Sequence, residues 1–195
     1  DSHLKENKIC EDIIYGRIQF FNYFSDFIET KNLKIIKYAL KILTNAIYPE
    51  SIKYDDTILN DMAKIIIDFF INDKTIEFQL NEKIIAYAAQ ALKNILLIVN
   101  DNFTYIEDKN CGNFLLFIYR CLRSGSYKVR KESLFFYLTL VCGYLSNEQV
   151  YKSFQENMGE IASIAEINPD IELNKHIVKC LKYIFHYEED ILDNK

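Results

Sequence analysis

The sequence predicts an all-α fold, wound as a solenoid of about four helical repeats and forming a single domain over residues 1–195. Three observations lead there. Apolar residues recur at spacings of three and four along nearly the whole chain, and no segment alternates with period two. Only 5 Gly and 2 Pro are present, too little turn punctuation for a many-stranded sandwich or barrel. Four lysine-led segments can also be overlaid at a near-constant period. With 50% of its residues hydrophobic and 26% charged, the chain has the composition of an ordered globular protein and not of a disordered tail.

The periodicity predicts helices over 8–30, 31–47, 56–72, 79–100, 112–123, 126–145, 147–166 and 171–188. The breaks between them have local causes. Pro49 cannot continue the second helix, and Asp55-Asp56-Thr57 offers capping side chains to the third. Asn168-Pro169-Asp170 separates the last two, and Gly112 and Gly125 mark further turns. The aromatic run Phe20-Phe21-Asn22-Tyr23-Phe24 is expected to cap the first repeat or to dock on another part of the protein.

The overlaid segments begin at Lys34, Lys83, Lys128 and Lys175, separated by 49, 45 and 47 residues. That is close to the period of about 40–47 of HEAT and armadillo units. Five residues after each lysine stands a small residue: Ala39, Ala88, Ser133 and Cys180. Nine after it stands a large one: Leu43, Leu92, Tyr137 and Ile184. Small residues at one fixed place let neighbouring helices approach, and bulky ones fill the space between layers. The repeats so defined cover about 8–50, 51–100, 101–146 and 147–190.

The stretch Ser124-Gly125-Ser126-Tyr127-Lys128-Val129-Arg130-Lys131-Glu132-Ser133-Leu134 resembles the turn and last-helix start of an armadillo repeat. Ser146-Asn147-Glu148-Gln149-Val150, an apolar helix, Asn168-Pro169-Asp170 and a helix ending His186-Tyr187-Glu188-Glu189-Asp190 follow in turn. That order is similar to the C-terminal repeats of the importin-alpha family, nuclear-import adaptors that hold basic peptides. The resemblance is clearest over about 80–190 and faint over 1–50. It implies a right-handed α-solenoid of armadillo-like (ARM/HEAT) units with a concave protein-binding groove. In that family the last helix of each repeat presents a tryptophan and, four residues on, an asparagine that binds peptide backbone. Here the asparagine position holds Asn45, Asn94, Thr139 and His186, and the tryptophan position holds Lys41, Gln90, Phe135 and Lys182. The chain contains no Trp, so the architecture carries over and the nuclear-signal pocket does not.

These eight residues are the expected peptide contacts. Spacings of three and four put Lys34 and Lys37, Lys83, Lys128 and Lys131, and Lys175 and Lys179 on the same stripes, so the groove is expected to be basic. A solvated helix face accounts for any single lysine among them. The chain as a whole carries a net charge of −5, with acidic residues gathered in links and in Glu188-Glu189-Asp190. A positive groove repels basic signal peptides and attracts acidic or phosphorylated segments. The expected function is therefore a protein-binding scaffold or adaptor. The alternatives are a structural subunit or fragment of a larger assembly, packing through lateral helix faces, and an importin-alpha-like transport adaptor.

Other classes have less support. The acidic balance argues against nucleic-acid binding. Cys10, Cys111, Cys121, Cys142 and Cys180 form no CxxC pair and no Cys/His cluster, so neither zinc nor a redox motif is expected; Cys121 and Cys180 fall where helices pack inward. His176 and His186 have no companion at metal spacing, no phosphate-cradling glycine motif occurs, and no nucleophile–base–orienter set can be assembled. Neither an enzyme nor a cofactor is expected. No apolar run reaches the roughly 18 residues of a membrane span, and free cysteines point to a reducing compartment, cytoplasmic or nuclear. Opening on Asp1-Ser2-His3 without a methionine fits a piece of a longer chain, so missing targeting signals at that end carry no weight.

Overall fold

A computed structural model describes residues 19–47, 55–72, 82–107, 111–167 and 170–193. Among these residues every regular element is helical. They are α1 (Phe24–Glu29), α2 (Leu33–Ala46), α3 (Asp56–Asn72), α4 (Glu82–Val99), α5 (Cys111–Leu122), α6 (Tyr127–Gly143), α7 (Glu148–Ile167) and α8 (Ile171–Asp193). Two short 3₁₀ turns, Asn100–Asn102 and Thr104–Glu107, join α4 towards α5. Most boundaries lie within a few residues of the predicted ones, but the helix expected over 8–30 is interrupted by a turn at Tyr23, with 19–22 helical before it, and α8 runs to Asp193 where an end at 188 was expected. Residues 8–18 of the first predicted helix fall outside the described part, as do Pro49 and Asn168-Pro169.

Capping explains where several helices start. The Asn32 side chain accepts from the backbone N–H groups of Lys34 and Ile35, and Asp55 accepts from that of Thr57. Asn147 receives Gln149 and Val150, and Asp170 receives Glu172 and Leu173. α6 has no side-chain cap at Ser126; the Arg130 guanidinium instead ties down the preceding turn by donating to the carbonyls of Ser124 and Gly125, 2.6 and 3.1 Å away. Gly112 is not a turn residue; it sits in the first turn of α5. Among the described residues the left-handed positions are Lys31 (φ 53°), between α1 and α2, and Asn100 (φ 45°), just after α4.

The helices lie in two layers. In the first, α1 packs on α3, α3 on α5, and α5 on α7. In the second, α2 packs on α4, α4 on α6, and α6 on α8. The layers are joined by α1 with α2, α3 with α4, α5 with α6, and α6 with α7. The last helix α8 rests mainly on α6.

All four small residues of the overlaid segments are buried, as are all four large ones. Leu43, Leu92, Tyr137 and Ile184 run through the second layer as one continuous part of the core. The aromatic run at 20–24 is mostly inward: Phe20 stands 6.2 Å from Phe21, 6.0 Å from Phe24 and 5.8 Å from Phe27 between ring centroids. Asn22 and Tyr23 of that group are exposed. Among the described residues no helix is long and apolar enough to cross a membrane.

Candidate functional site

The two layers carry opposite charge. The first-layer helices contain nine carboxylates against three basic side chains, Lys64, Arg120 and Lys152. The second-layer helices contain eleven basic side chains against seven carboxylates, and four of those seven fall in the last turns of α8, from Glu188 to Asp193. In α2 there is no acidic residue at all. In a chain of net negative charge, the lysines thus recur on the second helix of each pair.

Of the lysines expected on that side, Lys34, Lys41, Lys83, Lys128, Lys175, Lys179 and Lys182 are exposed, and Lys37 is half-buried. Several are already held. Lys131 forms an ion pair with Asp170, which holds the Asp170 carboxyl below its usual range and raises the lysine. Lys128 lies 5.1 Å above the Tyr87 ring, across the α4–α6 joint. Lys37 stands over Tyr38 at 4.7 Å, and Lys175 pairs with Glu172.

The asparagine-type positions divide. Asn45 is exposed near the end of α2. The Asn94 amide nitrogen donates to the carbonyls of Thr44 and Ile47, each at 3.1 Å, and so ties α4 to the C-terminal end of α2. Thr44 returns a bond from its hydroxyl to the Tyr87 carbonyl at 3.2 Å. Thr139 donates to the Phe135 carbonyl one turn earlier and lies 3.4 Å from His176 Nε2. Gln90 is half-buried, while Lys182 and His186 are exposed on α8.

The structure gathers part of this set around the α6–α8 joint. The Phe135 ring meets the His176 ring in a tilted arrangement, with centroids 5.1 Å apart, and lies 5.4 Å from the Lys93 ammonium. Burial holds the His176 imidazole below its ordinary value of 6.5; a hydrogen bond to the Phe135 backbone opposes this, and Lys93 and Lys179 add to the depression. Next to this cluster is a cavity of about 270 Å³, lined by Leu97, Thr139, Cys142, His176, Lys179 and Tyr183 among others. Leu97 and Tyr183 are largely exposed, so its mouth is apolar with Lys179 at the edge. The Cys142 thiol is pulled below its usual range by a hydrogen bond from Cys180, helped by Lys179.

Lys93, Leu97 and Tyr183 were not among the expected contacts. Their signal was present, since Lys93 and Leu97 follow Gln90 by three and seven residues and so share its face. Among the described residues no group of three or more His, Cys, Asp or Glu is placed to hold a metal ion. No protein-family model, curated protein or solved structure matches this chain.

Proposed function

We propose that this chain is a divergent armadillo/HEAT-type scaffold: a right-handed α-solenoid of about four repeats, importin-alpha-like in architecture, with no catalytic role. Its second-layer face binds an extended protein segment that is acidic or phosphorylated. The observation that carries this reading is the separation of charge between the layers, which leaves a positive face on an otherwise acidic molecule. Two features support the repeat assignment: buried small and large residues at equivalent places, and side-by-side second-layer helices. The short Thr104–Glu107 turn packs on α3 and α5, which supports reading it as the counterpart of an armadillo unit's short first helix.

Recognition would combine two kinds of contact. Exposed lysines such as Lys41, Lys83, Lys179 and Lys182 meet carboxylate or phosphate groups through charge-assisted hydrogen bonds. Asn45, Gln90 and the apolar mouth beside Leu97 and Tyr183 contact peptide backbone and a large side chain. Basic nuclear-import signals are disfavoured on such a face by like charge.

Fluorescence anisotropy with paired acidic and lysine-rich peptides, at low and high salt, tests the proposal. The acidic peptide is expected to bind, and to weaken as salt rises. Preference for the lysine-rich peptide would overturn the basic-groove reading and restore a nuclear-signal adaptor.

A further inference from the structure

The described cysteines fall into two kinds. Cys111 and Cys121 are packed into the core, each 1% exposed, and burial pushes the Cys121 thiol up to about 12 against a hydrogen bond to Ser133. A thiol kept protonated in this way is inert.

Cys142 and Cys180 are placed differently. Cys142 stands near the end of α6 and is half-buried, while Cys180 lies midway along α8 and is 4% exposed. Far apart in sequence, they line one cavity of about 270 Å³ at the α6–α8 joint. Across that joint the Cys180 thiol donates a hydrogen bond to the Cys142 sulfur. Lys179 lines the same cavity, and Cys180 Sγ stands 3.6 Å from His176 Nε2, one turn earlier on α8. Two sulfurs already in hydrogen-bond contact need only a small further approach to form a covalent bond.

Their surroundings divide the work between them. The hydrogen bond from Cys180 lowers the Cys142 thiol, burial opposes this, and the Lys179 ammonium adds to the lowering. The same hydrogen bond and burial raise Cys180. The more accessible sulfur is therefore also the one more readily ionised, and the thiolate is the nucleophilic form.

We propose that Cys142 and Cys180 are a redox-active thiol pair, oxidised by hydrogen peroxide to a reversible disulfide that joins α6 to α8. The Cys142 thiolate attacks one peroxide oxygen, the O–O bond breaks, and the departing hydroxide takes a proton from solvent and leaves as water. Cys142 is then a sulfenic acid. The Cys180 sulfur attacks Cys142 Sγ and the S–O bond breaks. A second water leaves with the Cys180 proton, which His176 Nε2 is near enough to carry. The two thiols together lose two electrons and two protons, and the peroxide is reduced to two waters.

Equimolar hydrogen peroxide on the full chain, followed by denaturation, alkylation of free thiols and non-reducing peptide mapping by mass spectrometry, tests the pair. A Cys142–Cys180 disulfide within one chain is expected, reversed by dithiothreitol, with Cys111 and Cys121 recovered alkylated. Cys180→Ala supplies the residue that Ala39 and Ala88 already place at the equivalent position, so its helicity should equal that of wild type. Oxidation of that variant should stop at a Cys142 sulfenic acid, trapped by dimedone. In Cys142→Ala the Cys180 thiol should stay reduced. Recovery of both thiols free in the wild type would overturn the proposal. So would a Cys142 disulfide to any other cysteine, cross-links between chains, or oxidation spread equally over Cys111 and Cys121. The wild-type map stands by itself, so the test does not depend on either variant folding. It uses no peptide ligand, and its outcome is separate from that of the peptide-binding proposal.

Discussion

Asn45 and Asn94 occupy the same place in the overlaid segments, yet Asn45 is exposed while Asn94 is half-buried and held by hydrogen bonds. Asn94 satisfies two carbonyls at the end of α2, which as helix-terminal acceptors lack intrahelical partners. Asn94→Ala is therefore expected to cost about 1–2 kcal/mol of stability. For a chain of this size that lowers the melting temperature by roughly 2–4 °C per kcal/mol. Asn45→Ala, on an exposed site, should leave the melting temperature unchanged and weaken acidic-peptide binding severalfold. Thermal denaturation and anisotropy on the two single variants check both halves; equal melting losses would contradict the division. The sequence made the two asparagines look alike because a spacing of four residues defines a helix face without saying what lies opposite. In α4 that face adjoins the preceding helix.

Helix starts were legible because their determinants are local. Asn32, Asp55, Asn147 and Asp170 each cap a helix with their own side chain, and each stands just before an apolar-periodic run. The small and large positions were legible for the same reason, since burial at five and nine residues past each lysine is a property of one helix. What could not be read is how helices turn against each other. His176 had no companion at a recognised spacing to mark it, and only the α6–α8 joint brings it to Phe135 and Thr139.

That joint has a pH dependence whose sign follows from its surroundings. Burial and the neighbouring Lys93 and Lys179 hold folded His176 below 6.5, its ordinary unfolded value. The unfolded chain therefore binds the proton first as pH falls, so the contribution is complete above about pH 6.5 and is lost progressively below it. Urea denaturation at pH 7.5 and 5.5 should show lower stability at the acidic value, and His176→Gln should shrink that difference. An unchanged difference in the variant would place the titration elsewhere.

At the scale of the whole molecule, the two-layer stack turns a sequence habit into a field. Lysine at the head of each overlaid segment recurs on the second layer, while α1, α3 and α7 of the first layer carry nine carboxylates. Composition alone showed a net charge of −5, which hides this division. The pattern became legible only through the register of the overlaid segments. Lys131, expected to be available to a ligand, is instead bound to Asp170 and helps hold α8 to α6. The remaining exposed lysines define a test that needs no mutation.

Lysine acetylation footprinting, with and without a saturating acidic peptide and read site by site by mass spectrometry, addresses the binding face most directly. Protection is expected at Lys41, Lys83, Lys179 and Lys182 on the second layer. Lys64 and Lys152 on the first layer serve as internal controls and should label equally in both samples. Protection confined to Lys64 and Lys152, or spread uniformly over both layers, would contradict a partner-binding face on the second helix of each repeat.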